Sequence, residues 1–296
     1  MKKLLIASTA LVATAGMAAA DITITGHAAA GFHSGLDDVT TTTTDAGTDG
    51  LDVDVAADGV YSNAGVDFTM SGATDNGISF SASVNIDAGE EIDSGDFEYD
   101  GTDGGTAGLG AVSMSGAFGT LTFDNNGIDN LYSDATNHDV SYATTLGAVG
   151  LTVGYDVTGG DNATSAQATY TAGGMAFTLT GSEDAAGTSS TLAVSYALND
   201  TVTLSADTDQ AAGGESVLTM GASTTLNGVS VSVSSANNST WDVDLGYTAG
   251  GFALTYGVDE TDAWTATAST ALGGGATFSA GVDSADSTYA GVSFAF

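Results

Sequence analysis

The sequence predicts an all-β fold: a transmembrane, antiparallel, up-and-down β-barrel of 16–18 strands, reached after removal of a signal peptide. Three observations predict it. Apolar and polar residues alternate with a period of two along nearly the whole chain beyond the first twenty residues. Short turns containing Gly or Asn and longer, more acidic loops strictly take turns between the alternating segments. The first twenty residues have a basic start, an apolar middle and a small-residue end, the pattern of an export signal.

Residues 1–20 read MKKLLIASTALVATAGMAAA, and Ala18 and Ala20 fit the small-x-small rule of signal peptidase. Cleavage before Asp21 leaves residues 21–296 as one barrel domain. No later stretch approaches the 18 or so consecutive apolar residues of a spanning helix. A helical membrane protein is therefore excluded, which leaves a secreted soluble β protein or a membrane barrel.

Composition narrows the chemistry. The 296 residues include 37 acidic and two basic side chains, and both bases, Lys2 and Lys3, lie in the leader. A nucleic-acid binder needs Lys or Arg to displace counterions from phosphates, and residues 21–296 contain neither. A Walker-type phosphate loop lacks its Lys, and thiolate zinc sites and disulfides are excluded by the absence of Cys. Such charge imbalance suggests disorder, but 42% hydrophobic residues and no Pro argue against it.

The strands follow from the alternation. Ile78 to Asp87 alternates for ten positions. Trp241, Val243, Leu245 and Tyr247 alternate with Asp242, Asp244, Gly246 and Thr248. Phe252–Asp259 and Thr277–Val282 behave alike, and Val229, Val231 and Val233 alternate with serines. Tyr170-Thr-Ala-Gly-Gly-Met-Ala-Phe echoes Tyr247-Thr-Ala-Gly-Gly-Phe-Ala-Leu, so the repeating unit is a hairpin. Short turns fall at Thr74–Gly77, Ala117–Gly119, Leu146–Ala148, Gly173–Gly174, Asn199–Asp200, Asn227–Gly228, Gly250–Gly251 and Gly273–Gly275. Longer loops are expected at Ser34–Gly59, Ala88–Gly108, Asn125–Asn137, Thr158–Ala163, Glu183–Gly187, Asp207–Gly214, Asp259–Asp262 and Asp283–Asp286. Eight short-turn hairpins between a first and a closing strand give 18 strands. Barrels of this size leave an aqueous channel.

A membrane barrel is favoured over a sandwich on three grounds. The polar face carries small residues and Asp, with no Lys, Arg or Glu alternating along the strands. Tyr155, Tyr170, Tyr196, Trp241, Tyr247 and Tyr256 lie near strand ends, as interfacial girdles require. A long meander also leaves two open edges unless it closes.

The C-terminus, Thr288 to Phe296, places Val292, Phe294 and Phe296 on one face. It resembles the C-terminal strand by which outer-membrane barrels are recognised for assembly. Gly116-Ala-Phe-Gly-Thr-Leu-Thr-Phe123 resembles the strand leading into the third external loop of Gram-negative general porins, and Ile22-Thr-Ile-Thr-Gly26 looks like their first strand. The resemblance is nearest to the acidic porins of alphaproteobacteria. It implies an outer-membrane homotrimer of water-filled, non-enzymatic barrels, in contact with lipid and lipopolysaccharide, passing small hydrophilic solutes by diffusion. It also implies 16 strands, and a constriction loop that corresponds here to about residues 124–138. The family sets a basic cluster against acids on that loop, and this chain has no Arg or Lys with which to do so.

The acids themselves point to cations. Asp67, Asp87, Asp156, Asp242 and Asp244 fall on the wet face of strands, and Asp124, Asp129 and Asp134 fall on the third loop. A ring of one sign favours the opposite sign. Further acids, Glu90, Glu91, Asp93 and Asp96, cluster in the second loop, where Ca²⁺ is a conceivable ligand although the spacing is not an EF-hand. No other cofactor is expected. His138-Asp139 with Ser133 nearby lacks any nucleophile motif, so catalysis is not expected, and His27 and His33 fit a lumen or rim position. The rival reading is a non-conducting surface adhesin or structural β protein.

Overall fold

The computed structural model describes residues 21–43, 52–132, 137–157 and 163–296, so the leader and Asp134 lie outside the described residues. Among the described residues the chain forms twenty strands and no helix. β1 (Asp21–Ser34) pairs on one side with β4 (Gly59–Ala73) and on the other with β20 (Thr288–Ala295). From β4 every strand pairs antiparallel with the next: β5 (Ser79–Asp93), β6 (Glu98–Gly116), β7 (Gly119–Asp129), β8 (Asn137–Leu146), β9 (Val149–Tyr155) and β10 (Thr164–Ala172). The meander continues through β11 (Met175–Asp184), β12 (Gly187–Ala197), β13 (Val202–Gln210), β14 (Val217–Leu226) and β15 (Val229–Ala236). It ends with β16 (Trp241–Ala249), β17 (Phe252–Asp259), β18 (Trp264–Gly273) and β19 (Ala276–Asp283), which pairs with β20. The β1–β20 pairing closes the sheet.

The described wall therefore has 18 strands, β1 and β4 through β20. The turn tally had reached that number, and the 16 implied by resemblance falls short by one hairpin. The remaining pair, β2 (Asp37–Thr43) and β3 (Asp52–Val55), forms an accessory hairpin in the first external loop.

The two faces separate as the period of two requires. Ile22, Ile24 and Phe32 point outward and are exposed, as are Leu179, Leu192, Leu245 and Leu254. Around the barrel, Tyr170, Tyr196, Tyr247 and Phe252 lie beside the short turns, and Tyr155, Trp241, Tyr256 and Trp264 beside the longer loops. They form the two belts of a membrane barrel. Seven of the eight short turns use left-handed backbone: Asn227 and Gly228 sit at φ 54° and 82°, as a two-residue hairpin turn demands. At the other end, acids serve as turn caps. Asp184 Oδ1 accepts the Ala186 and Gly187 N–H groups at 2.8 and 3.2 Å, and Asp283 Oδ1 accepts those of Ala285 and Ser287 at 2.9 and 2.8 Å.

One longer turn, residues 237–240 between β15 and β16, was not expected from the sequence, and two expected loops need correction. Residues 88–108 are mostly strand, because β5 continues to Asp93 and β6 begins at Glu98, leaving 94–97 as the turn. The third loop starts only after Asp129, because β7 runs on past a bulge between Phe123 and Ile128. Neither stretch has a lipid-facing side, so no apolar alternation is required to mark a strand.

Candidate channel lumen

The inward side chains follow from register. His27 of β1, Gly65 of β4 and Asp87 of β5 stand in one row, with Asp67 one step along β4 on the same face. His27 Nε2 lies 3.3 Å from Asp87 Oδ1, and His27 Nδ1 lies 3.8 Å from Asp67 Oδ2. Gly65 makes this possible, since a Cβ there would occupy the space where His27 and Asp87 meet. Across the barrel, Asp242 and Asp244 line a shared cavity with Asp259, Thr265 and Asp283, drawn from β16 to β19.

The other expected site residues are placed differently. Asp156 is buried, close enough to the fully buried His138 to act on it electrostatically, rather than open to the lumen. Asp124 folds over Gly127 inside the β7 bulge, and Asp129 is exposed opposite Asn137. The His138-Asp139 pair is architectural. Asp139 accepts the Asn126 and Val157 N–H groups at 2.9 and 2.8 Å, tying the β7 bulge to the exit of β9. His138 Nε2 lies 2.8 Å from Ser165 Oγ, which also accepts the Leu131 N–H at 3.1 Å. Among the described residues no three carboxylates or imidazoles converge where they could hold a metal ion.

Two segments enter the barrel. The start of the third loop lies along the inner wall of β10–β13. Asn130 Nδ2 donates to Ser182 Oγ at 2.9 Å, and the Tyr132 hydroxyl donates to Asp209 Oδ1 at 2.6 Å. The second segment is the upper part of the β5–β6 hairpin. β6 pairs with β7 only from Val112 to Gly116, and above that level it leaves the wall. Three register shifts in β5–β6 pairing and left-handed Gly89 (φ 113°) and Gly101 (φ 99°) turn the hairpin inward. Its tip passes over β4, β1 and β20 and reaches β17–β19, where Ser94 and Gly95 share a cavity with Thr255, Thr265, Thr267 and Ser279.

A small apolar cluster holds this tip. Phe97, Leu36, Ala56 and Tyr289 are buried, with Ile92 and Tyr99 packed against them. Phe97 sits at φ 62°, a conformation costing a bulky residue about 1–3 kcal/mol. Burial of the ring returns about 1.5–3 kcal/mol, which holds the residue in this conformation. The hairpin carries Glu90, Glu91, Asp93, Asp96, Glu98, Asp100 and Asp103. β6 pairs with β7 only from Val112 onward, so these acids lie on a segment that has left the membrane-spanning wall. Burial first, and then Asp96, Asp100 and other neighbouring acids, raise the Glu98 carboxyl above its ordinary range. Burial and then Asp93, Asp103 and Asp96 do the same to Asp100. Sequence reasoning had seen four of these acids as loop charges. It missed Glu98, Asp100, Asp103 and the apolar anchor, whose one visible signal is a lone Phe within an acidic, Gly-rich stretch.

The profile of the Gram-negative porin family matches residues 7–295. The chain belongs to the Gram-negative porin family. Solved structures agree in fold. Two engineered mutants of the Rh. blastica porin superpose with TM-scores of 0.54 and 0.53, at 16% and 17% identity, covering 93% of this chain and all of theirs. A porin structure refined at 1.8 Å resolution gives a TM-score of 0.50 at 17% identity, with the same coverage. No match was found among curated protein sequences. The protein is thus an outer-membrane porin, a channel and not an enzyme. With no Lys or Arg in residues 21–296, this porin has no basic wall to set against its acids.

Proposed function

We propose that this porin conducts cations in preference to anions and passes small hydrophilic solutes by passive diffusion. In this reading residues 1–20 are removed on export, and the barrel works as a homotrimer surrounded by lipid and lipopolysaccharide. One observation carries the charge preference: carboxylates stand on opposite sides of the lumen, at Asp67 and Asp87 beside His27 and at Asp242 and Asp244, and no Lys or Arg beyond the leader opposes them. A lumen lined by one sign concentrates the other. The Debye length is about 8 Å at physiological salt and about 3 Å at 1 M, so the field acts where the path is narrow and fades as salt rises.

Ion substitution in planar bilayers tests this. Replacing K⁺ by a bulky organic cation should cut single-channel conductance severalfold, in line with the loss of the favoured carrier. Replacing Cl⁻ by a bulky organic anion should change it little. The reverse order would defeat the proposal, and protein that inserts but carries no current would favour the adhesin reading.

A further inference from the structure

We propose that the inward β5–β6 hairpin, and not the third loop, sets ion selectivity in this porin, and that Phe97 is the residue that positions it. The inference rests on the cation-favouring reading above and says where in the lumen the preference arises.

Three observations support it. First, seven carboxylates lie between Glu90 and Asp103, on a segment that folds inside the barrel over β4, β1 and β20 and reaches β17–β19. Screening confines a charge's influence to about 8 Å, so acids on a segment folded into the barrel interior act on a passing ion more strongly than acids capping the external turns. The described start of the third loop is instead bonded along β10–β13 through Asn130, Leu131 and Tyr132.

Second, the tip is docked at a joint centred on Phe97. The hairpin has left β7, the Asn63 side chain holds its base at the Glu90 carbonyl and Tyr99 stacks on His33, and at the tip itself the Phe97 ring is 4% exposed and 5.4 Å from the Tyr289 ring. The first external loop closes over that anchor. Leu36 and Ala56 are buried against it, and β2 runs parallel to β6 with Asp37 opposite Glu98.

Third, both sides of the joint carry the marks of a fitted contact. Phe97 holds a left-handed backbone that would suit Gly better, and such conformations persist where the surroundings over-determine them. On the wall, Gly281 leaves the space the ring fills: a Cβ there would lie 2.9 Å from the Phe97 ring and would also collide with Tyr289.

The experiment uses full-length protein reconstituted in bilayers, with permeability ratios read in dilute KCl. F97G keeps a residue at ease in the turn and removes the anchor, and G281A displaces the anchor from the opposite side. Both should raise conductance and lower the cation-to-anion permeability ratio about twofold or more. E91Q/E98Q/D100N leaves Phe97 in place and should lower the ratio by a similar factor with conductance near that of the parent. The chain has no Cys, so S94C/S279C in otherwise unaltered protein can be joined by a short bis-maleimide. A cross-link is expected if the tip lies against β19. Failure to cross-link, or a cation-selective parent whose ratio survives the triple neutralisation, would overturn this proposal alone. A parent without cation preference would overturn the functional reading and this inference with it.

Discussion

Deletion of Phe296 is expected to abolish insertion of the barrel, leaving protease-sensitive protein in the periplasm and no heat-modifiable form in the outer membrane. The reason lies at the closing seam. The Phe296 carbonyl accepts the Gly26 N–H at 2.7 Å, and the Phe296 N–H donates to the Gly26 carbonyl at 2.9 Å. Its ring lies over Gly26, where any Cβ would collide with it. Val292, Phe294 and Phe296 share the outward face of β20, opposite Ala30, Ala28 and Gly26 of β1. Removing the last residue strips two hydrogen bonds from a seam facing hydrocarbon, where an unsatisfied backbone group costs several kcal/mol. G26L should produce a milder defect by forcing the ring away while keeping the chain length. Parental amounts of heat-modifiable barrel in the deletion would contradict the seam's importance.

Acidification is expected to erase the cation preference, with the decline beginning at a higher pH than ordinary carboxylates would give. Glu98 and Asp100 are raised from 4.5 and 3.8, by burial foremost and then by neighbouring acids, so they lose charge early as pH falls. The sign for stability runs the other way. Because the folded values lie above the unfolded ones, the stability linked to these groups is fully present below the unfolded values and is lost as pH rises through the folded ones. Acid should therefore firm the hairpin while it neutralises it. Between about pH 7 and about pH 3, the permeability ratio should fall toward one without a rise in open-channel noise. A ratio indifferent to pH over that interval would show that carboxylates do not set the field. A fall accompanied by large conductance fluctuations would mean that the hairpin is released rather than neutralised.

What could be read from the sequence is what lipid enforces. A strand in hydrocarbon must show an apolar residue at every second position, so β5, β16, β17 and β19 are legible, as is β20 with its terminal Phe. Seven of the eight short turns are legible because left-handed backbone favours Gly and Asn there, as at Asn227–Gly228, and the eighth because the Asn199 side chain caps Thr201 and Val202. These two signals suffice for 18 strands. Inside the barrel the constraint disappears. The hairpin from 88 to 104 has no lipid face, so its strands looked like loop. The fate of each acid is also non-local. Asp67 and Asp87 converge on His27 through the absence of a side chain at Gly65, whereas Asp156 is buried beside His138. Alternation placed all three alike on a wet face. Phe97 was passed over because its partners, Leu36, Gly281 and Tyr289, are distant in sequence and meet only when the barrel closes.

The zero-current potential across a bilayer holding the parent protein, under a dilute KCl gradient at neutral pH, tests most directly whether unopposed carboxylates govern passage. K⁺ moving down its gradient should leave the dilute side positive, with a potential approaching the K⁺ limit in dilute salt and shrinking toward zero as both compartments near molar salt. A dilute side that turns negative, or a potential near zero in dilute salt, would contradict an acid-lined, cation-favouring pore.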